Sequence, residues 1–411
     1  MKQIIVRGGR ALCGEITVSG SKNAALPIIF STVACRGISR LDNLPLIGDV
    51  KVALRIIEKM GARVSYLGRT VLIDTRNMYC LDADSSLTSR IRASSYLIGA
   101  SLVRFERYKL SDIGGCNFSN RPIDLHLYAA QMLGASVSSD IISVDGVLRG
   151  GIIRFPIASV GATANALIMA CGAQGRSEIY NYAREPHIFA LADFLSSAGA
   201  HISFDDEKIT VDGAYLGGGE CVIIGDMIEA GTYLASAIVT RGEVSVRGVC
   251  ADQMRAFIDF LSDSGCEVYV RDDLIGATAR EVGRYSSVVA SPYPGFATDL
   301  QPIAAAVMAS LSGGDITDLV WRERFGYLDA LSDFGVRSDG RCDRARVYPS
   351  QFCSAHSHAP DLRGGAACLL AALGAGGESI IDDADLILRG YDDLDNKLRH
   401  LGADVEIKDI S

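Results

Sequence analysis

Apolar and polar positions along the chain alternate between two periods. Stretches such as DVKVALRIIEKM and YDDLDNKLRHL carry apolar residues three and four apart, the spacing of a helix with one buried face. Each runs into a glycine, and a β-type alternation follows. The same phrase returns as EKMGARVSYLG, AQMLGASVSSD, LSSAGAHISFD, LSDSGCEVYVR, LSDFGVRSDGR and RHLGADVEIKD. Its glycines, Gly61, Gly134, Gly199, Gly265, Gly335 and Gly402, recur at intervals of 73, 65, 66, 70 and 67 residues. Six copies at a nearly constant period are an internal repeat. A glycine just past a helix end adopts a left-handed cap at little cost, so each one marks where a helix stops and the chain turns into a strand.

A second helical pattern lies between these marks. KNAALPIIFSTVACRG, RASSYLIGASLVRF, TANALIMACGAQG, GTYLASAIVTRG, QPIAAAVMASLSGG and GGAACLLAALGAGG are rich in Ala, Gly and Ser and apolar nearly all round. Such helices are predicted to be buried, and their small side chains let backbones approach closely. Each repeat therefore reads as strand, buried helix, strand, amphipathic helix and strand pair, an α/β unit. Six units imply two domains of three. The sixth runs out of chain after ADVEIKD; KQIIVRG reads as its missing last strand, and GEITVSG as the first strand of repeat one. The expected domains are 22–226, and 1–21 plus 227–411. They join without a Pro/Ser linker near CVIIGDMIEAG, a junction able to hinge over a cleft.

Composition narrows the function. A net charge of −9 over 411 residues argues against a bulk nucleic-acid binder. No apolar run has the length of a membrane span. Eleven cysteines form no CxxC pair, and MKQIIVRGGR lacks a basic-then-apolar leader, so the thiols read as reduced and cytoplasmic. His356 and His358, in a Ser/Pro-rich loop, read as solvated rather than metal-binding. P-loop, HExxH, GxSxG and dinucleotide fingerprints are missing from the sequence.

The unusual residues sit where the buried helices begin: Lys22 and Asn23 in SGSKNAALP, Arg92 in SRIRASS, Ser159 to Gly161 in ASVGATAN, Asp299 in GFATDLQP and Arg363 in PDLRGGAA. Helix N-termini favour anions, and a cation there works against the helix dipole. Any one of these cations reads as solvated surface charge. Several at corresponding points of separate repeats read as a phosphate and carboxylate site. Asp299 equally fits an ordinary N-cap. Cys116, in GGCNFSNRPIDLH, fits either a packing thiol or an exposed one polarised by Arg121.

In order along the chain, GSKNAALP, GGC with Arg121-Pro122 after it, ASVGAT, YNYAREP, GFATDLQ, DLRGGAA and RGYDDLDNKL resemble the UDP-N-acetylglucosamine enolpyruvyl transferases, over essentially the whole length. The resemblance implies an inside-out α/β barrel fold: two domains, each of three βαβαββ units with helices packed inside, and an active site in the cleft between them. It implies transfer of the enolpyruvyl group of phosphoenolpyruvate to the 3-hydroxyl of UDP-N-acetylglucosamine with release of phosphate, the opening step of bacterial peptidoglycan synthesis. By motif, Cys116 is then the general acid on a mobile loop and a site of covalent attachment. Asp299 is the base or proton shuttle at the hydroxyl. Lys22, Arg121 and Arg389 hold phosphoenolpyruvate, with Arg92 and Arg363 supporting that charge. Asn23, Arg92, Ser159, Val160, Gly161 and Asp299 face the UDP-sugar. Neither a metal nor an organic cofactor is implied, the partners are these two small molecules rather than nucleic acid or membrane, and the oligomeric state stays open.

The chain departs from the family pattern at Phe118, Ser119, Ala164, Met227, Ala297, Arg322 and Glu323. Most of these changes fall on the nucleotide-sugar side or the cleft, not among the phosphoenolpyruvate ligands. They keep two alternatives in view: an enolpyruvyl transferase for another nucleotide acceptor, and a non-catalytic UDP-sugar-binding paralogue.

Overall fold

The computed structural model describes residues 2–79, 83–110, 122–279 and 283–410. Cys116 and Arg121, with Phe118 and Ser119, lie outside them. The backbone divides into two compact units, one of residues up to Ser19 together with those from Gly225, the other Gly20–Ile224.

The third repeat shows the plan. Strand Ile152–Arg154 leads into helix Val160–Gly172, and strand Arg176–Tyr180 returns parallel to the first. Helix Pro186–Ser197 follows, and His201–Phe204 and Lys208–Asp212 close the sheet as an antiparallel pair. Glycines at the repeat marks behave as their positions require. Gly61, Gly134, Gly199, Gly265, Gly335 and Gly402 all have positive φ, between 82° and 120°, a region in which a side chain is strained.

In the Gly20–Ile224 unit the buried helices are Lys22–Ser31, Leu97–Phe105 and Val160–Gly172. Small residues set their approach: a Cβ on Gly172 would fall 2.3 Å from Val103. The other unit buries Met227–Val239, Gln301–Ser310 and Leu362–Gly374, each packed on the other two. Every residue of Leu362–Gly374 except its last is buried, which fits its all-round apolar sequence. Among the described residues each unit thus encloses helices and carries three sheets, the inside-out arrangement that the family resemblance implies.

The N-terminal strand Lys2–Gly8 lies between Gly377–Asp382 and Asp404–Asp409, antiparallel to both, and completes the sixth repeat. The next strand lies in the unit expected for residues 1–21 but not in the expected repeat. Cys13–Thr17 does not join the first repeat; it pairs parallel with Glu243–Arg247 of the fourth. The first repeat takes Glu220–Val222 instead, parallel to Ile38–Asp42. The chain passes from one unit to the other after each of these strands, so each is left in the sheet of the repeat it does not lead into. Ser19, the last residue before the first crossing, is held firmly. Its N–H donates to Glu229 Oε2 at 2.8 Å, and its hydroxyl accepts from Lys397 Nζ at 2.6 Å. Lys397 also pairs with Glu229 at 2.5 Å, and Glu229 is 1% exposed. Removing either partner of such a buried pair strands the other charge.

Candidate active site

In the Gly20–Ile224 unit, Lys22 is the first residue of its helix, after an extended Ser21 whose side chain makes no cap. Its ammonium lies 3.4 Å from Asp49, and the two side chains are 14% and 9% exposed. Asn23 follows, partly buried. Arg92 opens the single 3-10 turn Arg92–Tyr96 ahead of helix Leu97–Phe105. It donates to the Pro122 carbonyl at 3.4 Å, and burial lowers its pKa, with Tyr96 working the other way.

Ser159 caps the third buried helix, its hydroxyl accepting from the Ala162 N–H at 3.4 Å. The N–H groups of Val160 and Gly161 have no acceptor among the described residues. These are the spare donors that make a helix start attractive to an anion. Against this turn packs a residue that sequence reading did not select. A Cβ placed on Gly161 would lie 3.0 Å from Cε1 and Nε2 of His126. The His126 ring is 5% exposed, and its Nδ1 is 2.7 Å from Asn165 Nδ2. Burial, with the charge of Arg92 added, pushes His126 down to about 4, against a pull upward from Asp124. The ordinary value is about 6.5, so the unfolded chain takes up this proton first as the pH falls. The stability this creates is fully present above pH 6.5 and is lost as the pH drops through about 4, a difference of roughly 3 kcal/mol. His126→Gln removes the titration. Denaturant midpoints at pH 7 and pH 4 should therefore converge more in the variant than in the parent; an equal acid loss in both would contradict it.

In the other unit, Asp299 lies in the 3-10 turn Thr298–Leu300 before helix Gln301–Ser310. It is not the cap: Leu300 occupies the N-cap position and Ala297 caps the 3-10 turn. Its carboxylate instead accepts from two guanidiniums, from Arg324 Nη1 at 2.8 Å and Arg363 Nε at 3.3 Å. Arg324 is 5% exposed and Arg363 2%. Arg363 is the second residue of helix Leu362–Gly374, whose start is capped by Asp361 through the N–H groups of Arg363 and Gly364. Burial is the largest single influence and opposes the Arg363 charge, but Asp299, Tyr391 and Asp226 together outweigh it, so its pKa stands above the ordinary value. Its Nη1 and Nη2 are buried with no hydrogen-bond acceptor among the described residues. Unsatisfied cationic donors at this depth cost stability, and an anionic ligand would satisfy them. Tyr391 stands beside Arg363, its ring centre 5.5 Å from the guanidinium carbon, and its hydroxyl is 2.8 Å from Thr232 Oγ1. Arg389 follows helix Ala384–Leu388 as its C-cap and is partly buried.

Sequence reading missed Arg324, Asp49, His126 and Asn165. Asn165 did carry a signal, as an amide inside an otherwise apolar helix, and Arg324 stood in the conspicuous run WRERF. His356 and His358 prove to lie in a strand, not a loop, with the His356 ring 2.8 Å from Asp382. The YNYAREP segment lines a polar cavity of about 400 Å³ with Arg154, Asp206 and Glu207, and this cavity includes none of the predicted site residues. Among the departures, Ala164 is fully buried and Met227 opens helix Met227–Val239.

Comparison with known proteins bears on the family and the fold. The family described as EPSP synthase (3-phosphoshikimate 1-carboxyvinyltransferase) matches residues 6–398. The UDP-N-acetylglucosamine 1-carboxyvinyltransferase of Prosthecochloris aestuarii is 37% identical over 99% of this chain and 98% of its own. The enzyme of the same name from Halothermothrix orenii is 38% identical over 98% and 99%. In fold, the chain is similar to the enolpyruvyl transferase NikO from Streptomyces tendae, with a TM-score of 0.90 at 23% identity, over 100% and 99% of the two chains. EPSP synthase from Acinetobacter baumannii gives 0.72 at 16% identity, over the whole of both. Six repeats, buried helices opened by cations and near-full-length identity converge, and the chain belongs to the EPSP synthase family and, within it, to the UDP-N-acetylglucosamine 1-carboxyvinyltransferases.

Proposed function

We propose that the protein transfers the enolpyruvyl group of phosphoenolpyruvate to the 3-hydroxyl of UDP-N-acetylglucosamine and releases phosphate. The observation that carries the reading is the Arg363–Asp299–Arg324 cluster, a carboxylate between two buried guanidiniums, one of which has two terminal nitrogens without an acceptor among the described residues. In the proposed sequence, an acid protonates the methylene carbon of phosphoenolpyruvate, the sugar hydroxyl adds to the adjacent carbon, and its proton passes to a base. The tetrahedral intermediate then loses phosphate from that carbon and a proton from the methyl group, which restores the double bond. Cys116 is assigned as the acid and the covalent attachment point, and Asp299 as the base. An arriving anion competes with Asp299 for Arg363, which turns a carboxylate oxygen towards the hydroxyl.

Lys22, Arg121 and Arg389 are assigned to phosphoenolpyruvate, with Arg92 and Arg363 in support. Asn23, Arg92, Ser159, Val160 and Gly161 are assigned to the nucleotide sugar. The unused N–H groups of Val160 and Gly161 support that assignment. A cytoplasmic location and a role in cell-wall peptidoglycan synthesis, with its consequences for cell shape and division, belong to the same reading. The acceptor is tested by mass spectrometry of the nucleotide sugar after incubation with phosphoenolpyruvate. UDP-N-acetylglucosamine should gain one enolpyruvyl group and its 3-deoxy analogue none. Modification of both, or of neither, would overturn the assigned acceptor.

A further inference from the structure

The polar cavity along the YNYAREP segment is built within the third repeat, and it holds charges of both signs that do not pair. Part of its wall is one rung of the sheet. Arg154 lies opposite Tyr180 in the parallel strand pair, and Tyr180 lies opposite Lys208 in the antiparallel one. Lys208 pairs with Glu178 at 2.5 Å, and the Tyr180 hydroxyl donates to the same carboxylate at 2.8 Å, which fixes the ring. The Arg154 guanidinium carbon stands 3.6 Å from the centre of that ring. A guanidinium held by its face keeps its N–H edge for an acceptor. Arg154 makes no hydrogen bond or ion pair among the described residues.

The rest of the wall is also fixed. Asn181 has a φ of 54°, and its amide donates to the Phe155 carbonyl at 2.9 Å. Tyr182 is buried, and its hydroxyl donates to the Asp205 carbonyl at 2.9 Å, which ties the segment to the hairpin of the last two strands. Arg184 lies 5.2 Å from the Tyr182 ring centre and donates to the Asp206 carbonyl. The turn consumes the Asp205 carboxylate, which accepts from the N–H groups of Glu207 and Lys208, both at 2.8 Å. Asp206 and Glu207 line the cavity with Arg154 and Arg184, and none of these four side chains forms an ion pair among the described residues. Exposed arginines elsewhere on the sheets do find carboxylates, as Arg176 does on Asp212 and Arg346 on Asp315, each at 2.8 Å. Here rigid walls keep the two signs apart, around a volume of about 400 Å³ that suits a small molecule.

We infer that this cavity is a second binding site, for a small zwitterion: an amino acid or dipeptide with a free carboxylate and a free ammonium. The N–H edge of Arg154 takes the carboxylate in a two-bond pair, and Arg184 adds charge at that end. Asp206 and Glu207 take the ammonium. The rings of Tyr180 and Tyr182 give the carbon skeleton an apolar face. Walls already held in place by hydrogen bonds reduce the ordering cost of binding. The cavity contains none of the residues assigned to phosphoenolpyruvate or to the nucleotide sugar, so the ligand is additional to both substrates.

The test titrates glycyl-leucine into the full-length protein by calorimetry with neither substrate present, so its outcome is separate from the success of the transfer assay. Binding at about millimolar affinity or tighter is expected. N-acetyl-glycyl-leucine and glycyl-leucine amide each lack one charge and should bind more weakly by about tenfold or more. Arg154→Ala should weaken glycyl-leucine by a similar factor, and Arg154→Lys, which keeps the charge but not the two-bond geometry, should recover only part of it. Asp206→Asn combined with Glu207→Gln should bind the free and the N-acetylated dipeptide alike. No binding up to about 10 mM, equal binding of the blocked peptides to the parent protein, or unchanged affinity in folded Arg154→Ala overturns the inference. Inorganic phosphate binding as tightly as the dipeptide overturns it too, since that marks a plain anion site. If Arg154→Ala does not fold, the blocked peptides on the parent protein decide.

Discussion

Arg363→Met should leave the ligand-free protein at least as stable as the parent and yet nearly abolish its use of phosphoenolpyruvate. The guanidinium is 2% exposed, and among the described residues both of its terminal nitrogens lack an acceptor within hydrogen-bond distance. Each such donor carries a desolvation cost of about 1–3 kcal/mol that a methionine of similar volume does not incur. Loss of the bond to Asp299 offsets part of the gain, although Arg324 still holds that carboxylate at 2.8 Å. A change in unfolding free energy between about zero and a gain of 2 kcal/mol is expected. In activity the sign reverses. A buried charge-assisted pair of bonds to an anion is lost, and the KM for phosphoenolpyruvate should rise by about a hundredfold or more. Denaturant unfolding and steady-state kinetics read the two halves. A variant that is strongly destabilised, or fully active, would show that Arg363 serves the fold and not the substrate. Sites that cost stability and are kept for activity are a common pattern in enzymes.

The second large effect is expected at Asp299. Asp299→Ala removes the proposed base, and general-base catalysis is worth about 10²- to 10⁴-fold in rate. The fall should appear in kcat. Affinity for UDP-N-acetylglucosamine, measured by calorimetry, should change far less, because Val160, Gly161 and Arg92 hold the nucleotide in the proposed arrangement. The truncation also leaves Arg324 and Arg363 facing each other without their shared carboxylate, so a loss of stability accompanies it. Asp299→Asn separates the two causes: it keeps an acceptor oxygen between the guanidiniums but cannot take up the proton. A large fall in kcat in both variants supports the base. Near-normal turnover in Asp299→Asn would leave Asp299 a purely structural link.

The repeat was fully legible in the sequence, because a helix-ending glycine with positive φ is a local requirement and local requirements leave local marks. The same holds for the buried helices, whose all-round apolar composition states their environment. The fate of Cys13–Thr17 was not legible. Its alternation is that of any half-buried strand, and nothing in it distinguishes the sheet of the first repeat from that of the fourth. That choice is made by the chain crossing after Ser19. At the site, Lys22, Arg92 and Arg363 stood out because cations are misplaced at helix starts. Asp299 was ambiguous, since an Asp before a helix is an ordinary cap; the two guanidiniums that claim it lie 25 and 64 residues away. His126 and Asn165 were missed for the same reason, as partners 39 residues apart whose meaning appears only when both are seen together.

The central claim is that donor and acceptor meet in one reaction here. The direct measurement is phosphate release from phosphoenolpyruvate by the purified protein, with and without UDP-N-acetylglucosamine. The account predicts steady release that requires the sugar nucleotide and matches the enolpyruvyl product mole for mole. Release at the same rate without the nucleotide, or none in its presence, would contradict it.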